Sequence, residues 1–298
     1  MSEALVLAIP FHRGFAYLDE AVASVRAQDD PDWKLVVLDD SGEPGAVRAR
    51  VAALQDARIT CLENARNLGM VATWNRALEE AAPAAGLVTL LHADDRLLPD
   101  YVRRMRALAA GEPRAAALFC AARTIGADGR ARFSLQDDIK RFLVPGGGAT
   151  VHLTGEPGLA ALMRGNFVVC PTLAFRRARL GGVRFDARWR QVQDLDLMAR
   201  LLFAGESLAG LRSAHYEYRR HADNATARQT ADFSRFAEEF ALFDELAAAA
   251  RARGWRRLER RSRRKTILRL HLAWRALGAL ARGRAGEAAG CARFALRR

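Results

Sequence analysis

Short apolar runs alternate with helix-length amphipathic stretches through the first 120 residues, and few folds accept that rhythm. Leu5–Ile9, Leu35–Leu38, Ile59–Leu62, Leu87–Leu91 and Ala115–Cys120 are each of strand length. Between them, Leu18, Val22 and Val25 line one face of a helix ending near Ala27, and a second helix is expected over about 45–54. Val71, Trp74 and Leu78 mark a third, and Pro99 opens a fourth. Strands alternating with crossover helices build a largely parallel sheet. The run Pro10-Phe11-His12-Arg13-Gly14 is expected to end the first strand, because proline offers no N–H to a ladder.

Ligands of open α/β sheets bind beyond the carboxyl ends of the strands. Three such ends carry Pro10-Phe11, Asp39-Asp40 and Asp94-Asp95, so these groups are expected to converge on one crevice. An aromatic ring can stack on a nucleobase, and a carboxylate can accept hydrogen bonds from base N–H groups or ribose hydroxyls. Adjacent acids repel each other, so a pair kept ionised calls for a cation, and a divalent metal holding a phosphate suits Asp94-Asp95. Taken alone, the same pair also reads as an acidic loop capping the next helix.

Cys61, Cys120, Cys170 and Cys291 are scattered and form no Cys-x-x-Cys or Cys/His cluster, which argues against a zinc site or a disulfide framework. The start Met1-Ser2-Glu3-Ala4 lacks the basic and apolar regions of a signal peptide, and no apolar run reaches the roughly 18 residues of a membrane span. A reducing, cytoplasmic location is the resulting expectation. The net charge of +13 is unevenly spread: residues 226–298 hold 18 basic and 7 acidic residues, a net +11, against +2 for residues 1–225. No nucleic-acid-binding module or interleaved stacking aromatics accompany the basic tail, so nucleic acid is not an expected partner.

Several of these segments together carry a resemblance. Ile9-Pro10-Phe11-His12, Leu18 to Val25 and on to Gln28, and Lys34 to Ser41 resemble the opening of family 2 glycosyltransferases. Asn67-Leu68-Gly69, Asn75-Arg76-Ala77-Leu78 and Leu91 to Pro99 continue it in the same order, and the likeness covers roughly residues 4–224. It implies a GT-A fold: an α/β three-layer sandwich with a mainly parallel central sheet, here with a C-terminal helical extension. Residues 1–225 would form the glycosyltransferase domain, with about 1–100 binding the nucleotide sugar and about 101–225 the acceptor, and 226–298 a basic helical extension.

The resemblance also implies roles. Pro10, Phe11, Asp39, Asp40, Asn67, Gly69 and Asp94 would contact the nucleotide sugar. A divalent cation, Mn²⁺ or Mg²⁺, would be held by Asp95, Asp94 and His221, the last from Tyr216 to Thr226, which resembles a closing Tyr-Arg-x-His segment. The family pattern is Asp-x-Asp, often Asp-x-Asp-Asp, whereas this chain reads His92-Ala93-Asp94-Asp95. His92 is then either a further ligand or a strand-end histidine bonded to a neighbouring carbonyl. Gln193-Asp194-Leu195-Asp196-Leu197 resembles the family's Glu-Asp-x-Asp-Leu, which puts Asp194 on the catalytic base and Gln193 in place of a glutamate. Asp194 and Asp196 alone would equally cap a helix buried through Leu197, Leu201 and Leu202. Asn166 reads as a donor- or acceptor-sugar contact or as a turn residue satisfying backbone groups.

The implied activity is inverting, metal-dependent transfer of a sugar from a nucleoside diphosphate to a hydroxyl of a saccharide or lipid-linked glycan, as in polysaccharide biosynthesis. The alternatives are a non-catalytic nucleotide-sugar-binding scaffold of the same fold and a nucleotidyltransferase. The latter calls for a Gly-rich basic loop that Pro10 to Gly14 reproduces poorly.

Beyond residue 226, Phe233, Phe236, Phe240, Phe243 and Ala247 recur at helical spacing, and Gly254 is expected to end that helix. Ten basic residues between Arg251 and Arg269 precede an apolar helix containing Trp274. Such helices either lie on the anionic inner face of a membrane as a peripheral contact or present a solvated charged face. Oligomeric state is left open.

Overall fold

The computed structural model describes residues 5–81, 86–133, 142–221 and 233–296. The division expected near residue 225, and the Ala222 to Thr226 part of the closing segment, lie outside the described residues.

Four strands form the parallel half of the sheet: β1 (Leu5–Phe11), β2 (Trp33–Asp39), β3 (Ile59–Glu63) and β4 (Leu87–Leu90). Their spatial order is β3-β2-β1-β4, with crossovers through α1 (Phe15–Arg26), α2 (Ala46–Ala53) and α3 (Met70–Glu80). The antiparallel strand β8 (Ala174–Arg176) extends the sheet past β4, followed by β6 (Ala115–Ile125) and the long β9 (Ser207–Arg219). Two short strands, β5 (Arg96–Leu97) and β7 (Thr150–Thr154), pair with opposite halves of β9.

Alternation along the strands sends side chains to two cores. Leu5, Leu7, Ile9 and Phe11 pack with Leu18 and Val25 of α1 and with Tyr101 and Met105 of α4 (Tyr101–Gly111). Val6 and Ala8 pack on the other face with Trp74 and Leu78 of α3 and Leu197 and Leu201 of α7 (Gln193–Phe203). Helices therefore cover both faces, the three-layer arrangement expected of the sequence. Two small helices, α5 (Gly155–Leu162) and α6 (Arg177–Leu180), complete this part of the chain.

One expectation is corrected. β1 does not stop at Pro10 but runs through it, with Pro10 opposite Leu38 and Phe11 opposite Asp39. The reason lies in which way the backbone points. The Ala8 carbonyl bonds Leu91 toward β4, and the Phe11 carbonyl bonds Asp40 toward β2. Pro10, two residues after Ala8, turns the same way as Ala8, where β4 has already parted from β1. Its missing N–H leaves no ladder bond unmade.

The C-terminal segment adds α8 (Ser234–Ala252), α9 (Arg256–Arg264), α10 (Thr266–Ala281) and α11 (Ala285–Ala295). Phe236, Phe240 and Phe243 of α8 share the core of α7, and Gly254, at φ +75°, follows its end. Trp255 stacks on Phe203 at 4.8 Å, and the Leu258 N–H donates to Glu156 of α5 at 2.8 Å. α10 and α11 pack against each other across the turn at 282–284.

Candidate active site

Asp40, just beyond β2, organises the loop that leads into α3. Its Oδ1 accepts the Leu68 N–H at 2.6 Å and the Asn64 amide at 2.7 Å, and its Oδ2 accepts the Gly69 N–H at 3.0 Å. The Asn67 amide donates to the Asp40 carbonyl at 2.7 Å and lies 3.1 Å from His12 Nδ1. Gly69 starts α3 at φ +83°, a backbone region that glycine enters without strain. Asp40 and Asn67, both expected at the donor, thus hold this loop against the end of β1. Asp39, buried at the end of β2, accepts the Ser41 N–H at 2.9 Å. Phe11 departs from its expected stacking role: it is 1% exposed and packs on Phe15 at 4.9 Å, because strand alternation carries it into the core. Pro10 is half-buried beside it.

The acid pair beyond β4 divides its labour. Asp95 is fully buried; its Oδ2 accepts the Tyr216 hydroxyl at 2.9 Å and its Oδ1 the Arg219 N–H at 2.7 Å. Burial, reinforced by Asp94, pushes the Asp95 carboxyl well above the usual carboxylate range. Asp94 is half-buried, and its Oδ2 meets His221 Nε2 at 2.9 Å. That contact is a hydrogen bond, and a carboxylate oxygen beside an imidazole nitrogen is a donor set that suits a divalent cation. His92, Asp94 and Asp95 also each offer a ligand atom within 4.8 Å of one another. The His92 ring stacks on Trp74 at 5.5 Å, and burial holds its imidazole below its ordinary value, against the pull of Asp94. The resulting neutral ring is the form that binds metals.

Arg219 fixes this cluster and was not singled out by sequence reasoning. Fully buried at the end of β9, it donates through Nε to the Asp94 carbonyl at 2.6 Å and through Nη1 to the Ala127 carbonyl at 2.9 Å. Its Nη2 reaches Glu20 of α1 at 2.5 Å, and its guanidinium lies over the Tyr17 ring at 4.7 Å. Tyr17 in turn faces His221, ring to ring at 5.5 Å. An arginine closing a strand just after Tyr216 and Tyr218 was the available signal, since such a charge is buried only with partners.

Asp194 opens α7, where the Asn166 amide donates to its Oδ2 at 3.1 Å. The two residues thus meet although 28 positions separate them. Gln193 is buried beside Asp194. His92 Nε2, Asn166 Oδ1 and Gln193 Nε2 are among the buried side-chain atoms of the described residues that have no hydrogen-bond partner. Cys170, half-buried and near Asn166 in sequence, has its thiol pushed well above the ordinary value, by burial first and then by Asp194 and Asp95.

The sequence profile described as Glycosyl transferase family 2 matches residues 6–179, more than half of the chain. A mannosyltransferase from Pyrobaculum calidifontis, solved with GDP-Man and Mn²⁺, superposes over 99% of this chain and 87% of its own at TM-score 0.61 and 16% identity. TarS from S. aureus in complex with UDP-GlcNAc superposes over 81% of this chain and 66% of its own, at TM-score 0.60 and 14% identity. At those identities the likeness is one of fold, and it is the GT-A fold. An uncharacterized protein of Mycobacterium tuberculosis is 32% identical over 99 residues, which span 33% of this chain and 30% of that relative. Strand order, the acid cluster beyond β4 and the sequence match agree, and the chain belongs to glycosyl transferase family 2.

Proposed function

We propose that this protein transfers a sugar, with inversion, from a nucleoside-diphosphate sugar to a hydroxyl of a saccharide or lipid-linked glycan. The observation that carries the reading is the presence of two separate paired centres: Asp94 meeting His221 at 2.9 Å beyond β4, and Asp194 meeting Asn166 at 3.1 Å at the head of α7. Inversion needs these two functions separated, a cation at the leaving diphosphate and a base on the opposite face of the sugar.

Asp194 is the base. Asn166 donates to Oδ2 and orients the carboxylate, which takes the acceptor proton as the acceptor oxygen attacks the anomeric carbon and the nucleoside diphosphate leaves. Asp94 and His221 hold a divalent cation, Mn²⁺ or Mg²⁺. Asp95 fixes the turn that presents Asp94, and the neutral His92 ring lies at its edge. The cation supplies Lewis-acid stabilisation of the departing nucleoside diphosphate. Asp39, with the loop that Asp40 and Asn67 hold in place, receives the nucleoside, while Gln193 and Asn166 offer their unpaired amide atoms to sugar hydroxyls. The division into a donor half over about 1–100, an acceptor half over about 101–225 and an extension over 226–298 belongs to the same proposal.

The test is nucleotide-sugar binding and donor turnover across a panel of donors, with and without Mn²⁺, for wild type and Asp194→Asn. Metal-dependent binding in both proteins, with turnover in the wild type alone, is the expected result. Absence of metal-dependent nucleotide binding in the wild type overturns the reading. Binding with no turnover on any acceptor points to the scaffold alternative.

A further inference from the structure

The hairpin of α10 and α11 leaves a broad apolar face uncovered. On α10, Leu270, Trp274 and Leu277 recur at i, i+4 and i+7 and are 61%, 53% and 69% exposed, with Leu280 at 57% beside them. The opposite side of α10 is buried through Leu268, Leu272 and Ala279, so the helix is apolar on both sides. A helix apolar all round meets a second apolar phase besides the core of its own domain. α11 repeats the pattern: Ala285, Ala289, Ala292 and Leu296 fall on one exposed face while Ala288 and Cys291 are buried.

The rim of this face is cationic. Residues 251–298 contain sixteen basic residues and two acids, Glu259 and Glu287. Both acids are tied to arginines of the segment, Glu287 to Arg275 at 3.1 Å and Arg284 at 3.7 Å, and Glu259 to Arg263 at 3.5 Å. Arg282 and Arg284 are exposed in the turn between the helices, and Arg293 is exposed along α11. No helix among the described residues is long and apolar enough to cross a membrane. An apolar helical face with an exposed tryptophan and an arginine rim instead matches the boundary between acyl chains and anionic headgroups.

The position of the face ties it to the site. Ile267, in the first turn of α10, lies 3.8 Å from where a Cβ on Gly165 would stand. Gly165 immediately precedes Asn166, the hydrogen-bond partner of Asp194. The uncovered stripe therefore begins within one helical turn of the acceptor side.

We propose that α10 and α11 dock the protein on an anionic lipid surface and so present the Asp194 side to an acceptor anchored in that bilayer. This deepens the function proposed above and rests on it for the acceptor, though not for the docking.

The full chain is to be sedimented with phosphatidylcholine vesicles with and without phosphatidylglycerol, while tryptophan emission is followed. Expected are binding to the anionic vesicles, weakened by salt, and a blue shift that Trp274→Phe removes, since Trp33, Trp74 and Trp189 are already buried and Trp255 is half-buried in its stack on Phe203. Leu270→Glu with Leu277→Glu should lower partitioning by roughly tenfold or more, and Arg282→Glu with Arg293→Glu should lower it on anionic vesicles specifically. All these positions are exposed, so an unchanged melting temperature serves as the folding control. Failure of the wild type to bind anionic vesicles overturns the proposal, as does binding that the Leu270/Leu277 pair leaves untouched. Self-association abolished by that pair, without vesicle binding, assigns the face to a second copy and equally overturns it. Nucleotide-sugar binding measured on the same samples separates the readings: it is expected to survive every docking variant, and its absence from the wild type strikes the proposed activity and leaves the vesicle result standing.

Discussion

Asp94 Oδ2 and His221 Nε2 stand 2.9 Å apart although 127 residues separate them in sequence. The contact joins the loop beyond β4 to the chain just past β9. Asp94→Asn and His221→Ala are each expected to weaken Mn²⁺-dependent nucleotide binding by at least about tenfold, read by calorimetry with and without the ion. Equal nucleotide affinity of wild type and Asp94→Asn at saturating Mn²⁺ would contradict this assignment.

Asp95 is expected to behave differently from its neighbour. Asp95→Ala strands the Tyr216 hydroxyl and the Arg219 N–H in a buried site. A loss of about 2–4 kcal/mol in denaturant unfolding follows. Asp95→Asn restores an acceptor for Arg219 and should recover at least half of that loss while keeping the metal response. A metal response lost equally in Asp95→Asn and Asp94→Asn would show that both acids bind the ion directly.

Asp194→Asn keeps a polar group of the same shape at the head of α7 and removes the proton acceptor. Turnover should fall by roughly 10²–10⁴-fold, with the dissociation constant of the donor changed less than about threefold. Single-turnover kinetics beside equilibrium donor binding distinguishes this from a folding defect.

Asp40 accepts three hydrogen bonds with its carboxylate, two of them from the backbone N–H groups of Leu68 and Gly69. Asp40→Asn turns an NH₂ toward one of those donors and should cost about 1–3 kcal/mol. Hydrogen exchange should show faster opening of the backbone around 64–69, and donor affinity should fall with it.

Acid stability carries a separate signature. A side-chain hydrogen bond from Arg58 holds the Asp56 carboxyl down at about 2, and the same guanidinium lies over the Trp33 ring at 3.8 Å. A carboxyl depressed by folding stabilises the native state above its ordinary value of 3.8 and loses that contribution as pH falls toward about 2. Because the pair is partly exposed, the contribution is below about 1 kcal/mol. Urea midpoints across that window should fall less steeply for Arg58→Gln than for wild type.

Much of this molecule was legible in its residues, and what escaped has a common cause. The parallel strands and their helices follow from local periodicity, so β1 to β4 and α1 to α3 lie within a few residues of where apolar spacing puts them. The convergence of strand ends follows from topology alone. What spacing cannot rank is the partner of each polar atom. Asp40 and Asp95 look like their neighbours Asp39 and Asp94, yet each of them spends its oxygens on the chain's own donors. Phe11 falls on the buried side of β1 by alternation, a reading open from the sequence had the strand been carried past Pro10. Arg219 depends on contacts with residues as distant as Glu20, 199 positions away, which no local pattern encodes. The exposure of Trp274 and Leu277 is of the same kind, because only the packed hairpin decides which apolar face of α10 is left over.

The proline in β1 has a consequence for the mouth of the sheet. Where β1 and β4 part, an ordinary residue at position 10 would offer an N–H and a C=O to any extended segment entering the gap, a copy of this protein included. Pro10 withdraws the donor and leaves only the carbonyl. The opening of the sheet thus carries one backbone donor fewer, and a group entering it meets a carbonyl acceptor and the rigid pyrrolidine ring instead of a strand-like pair of groups.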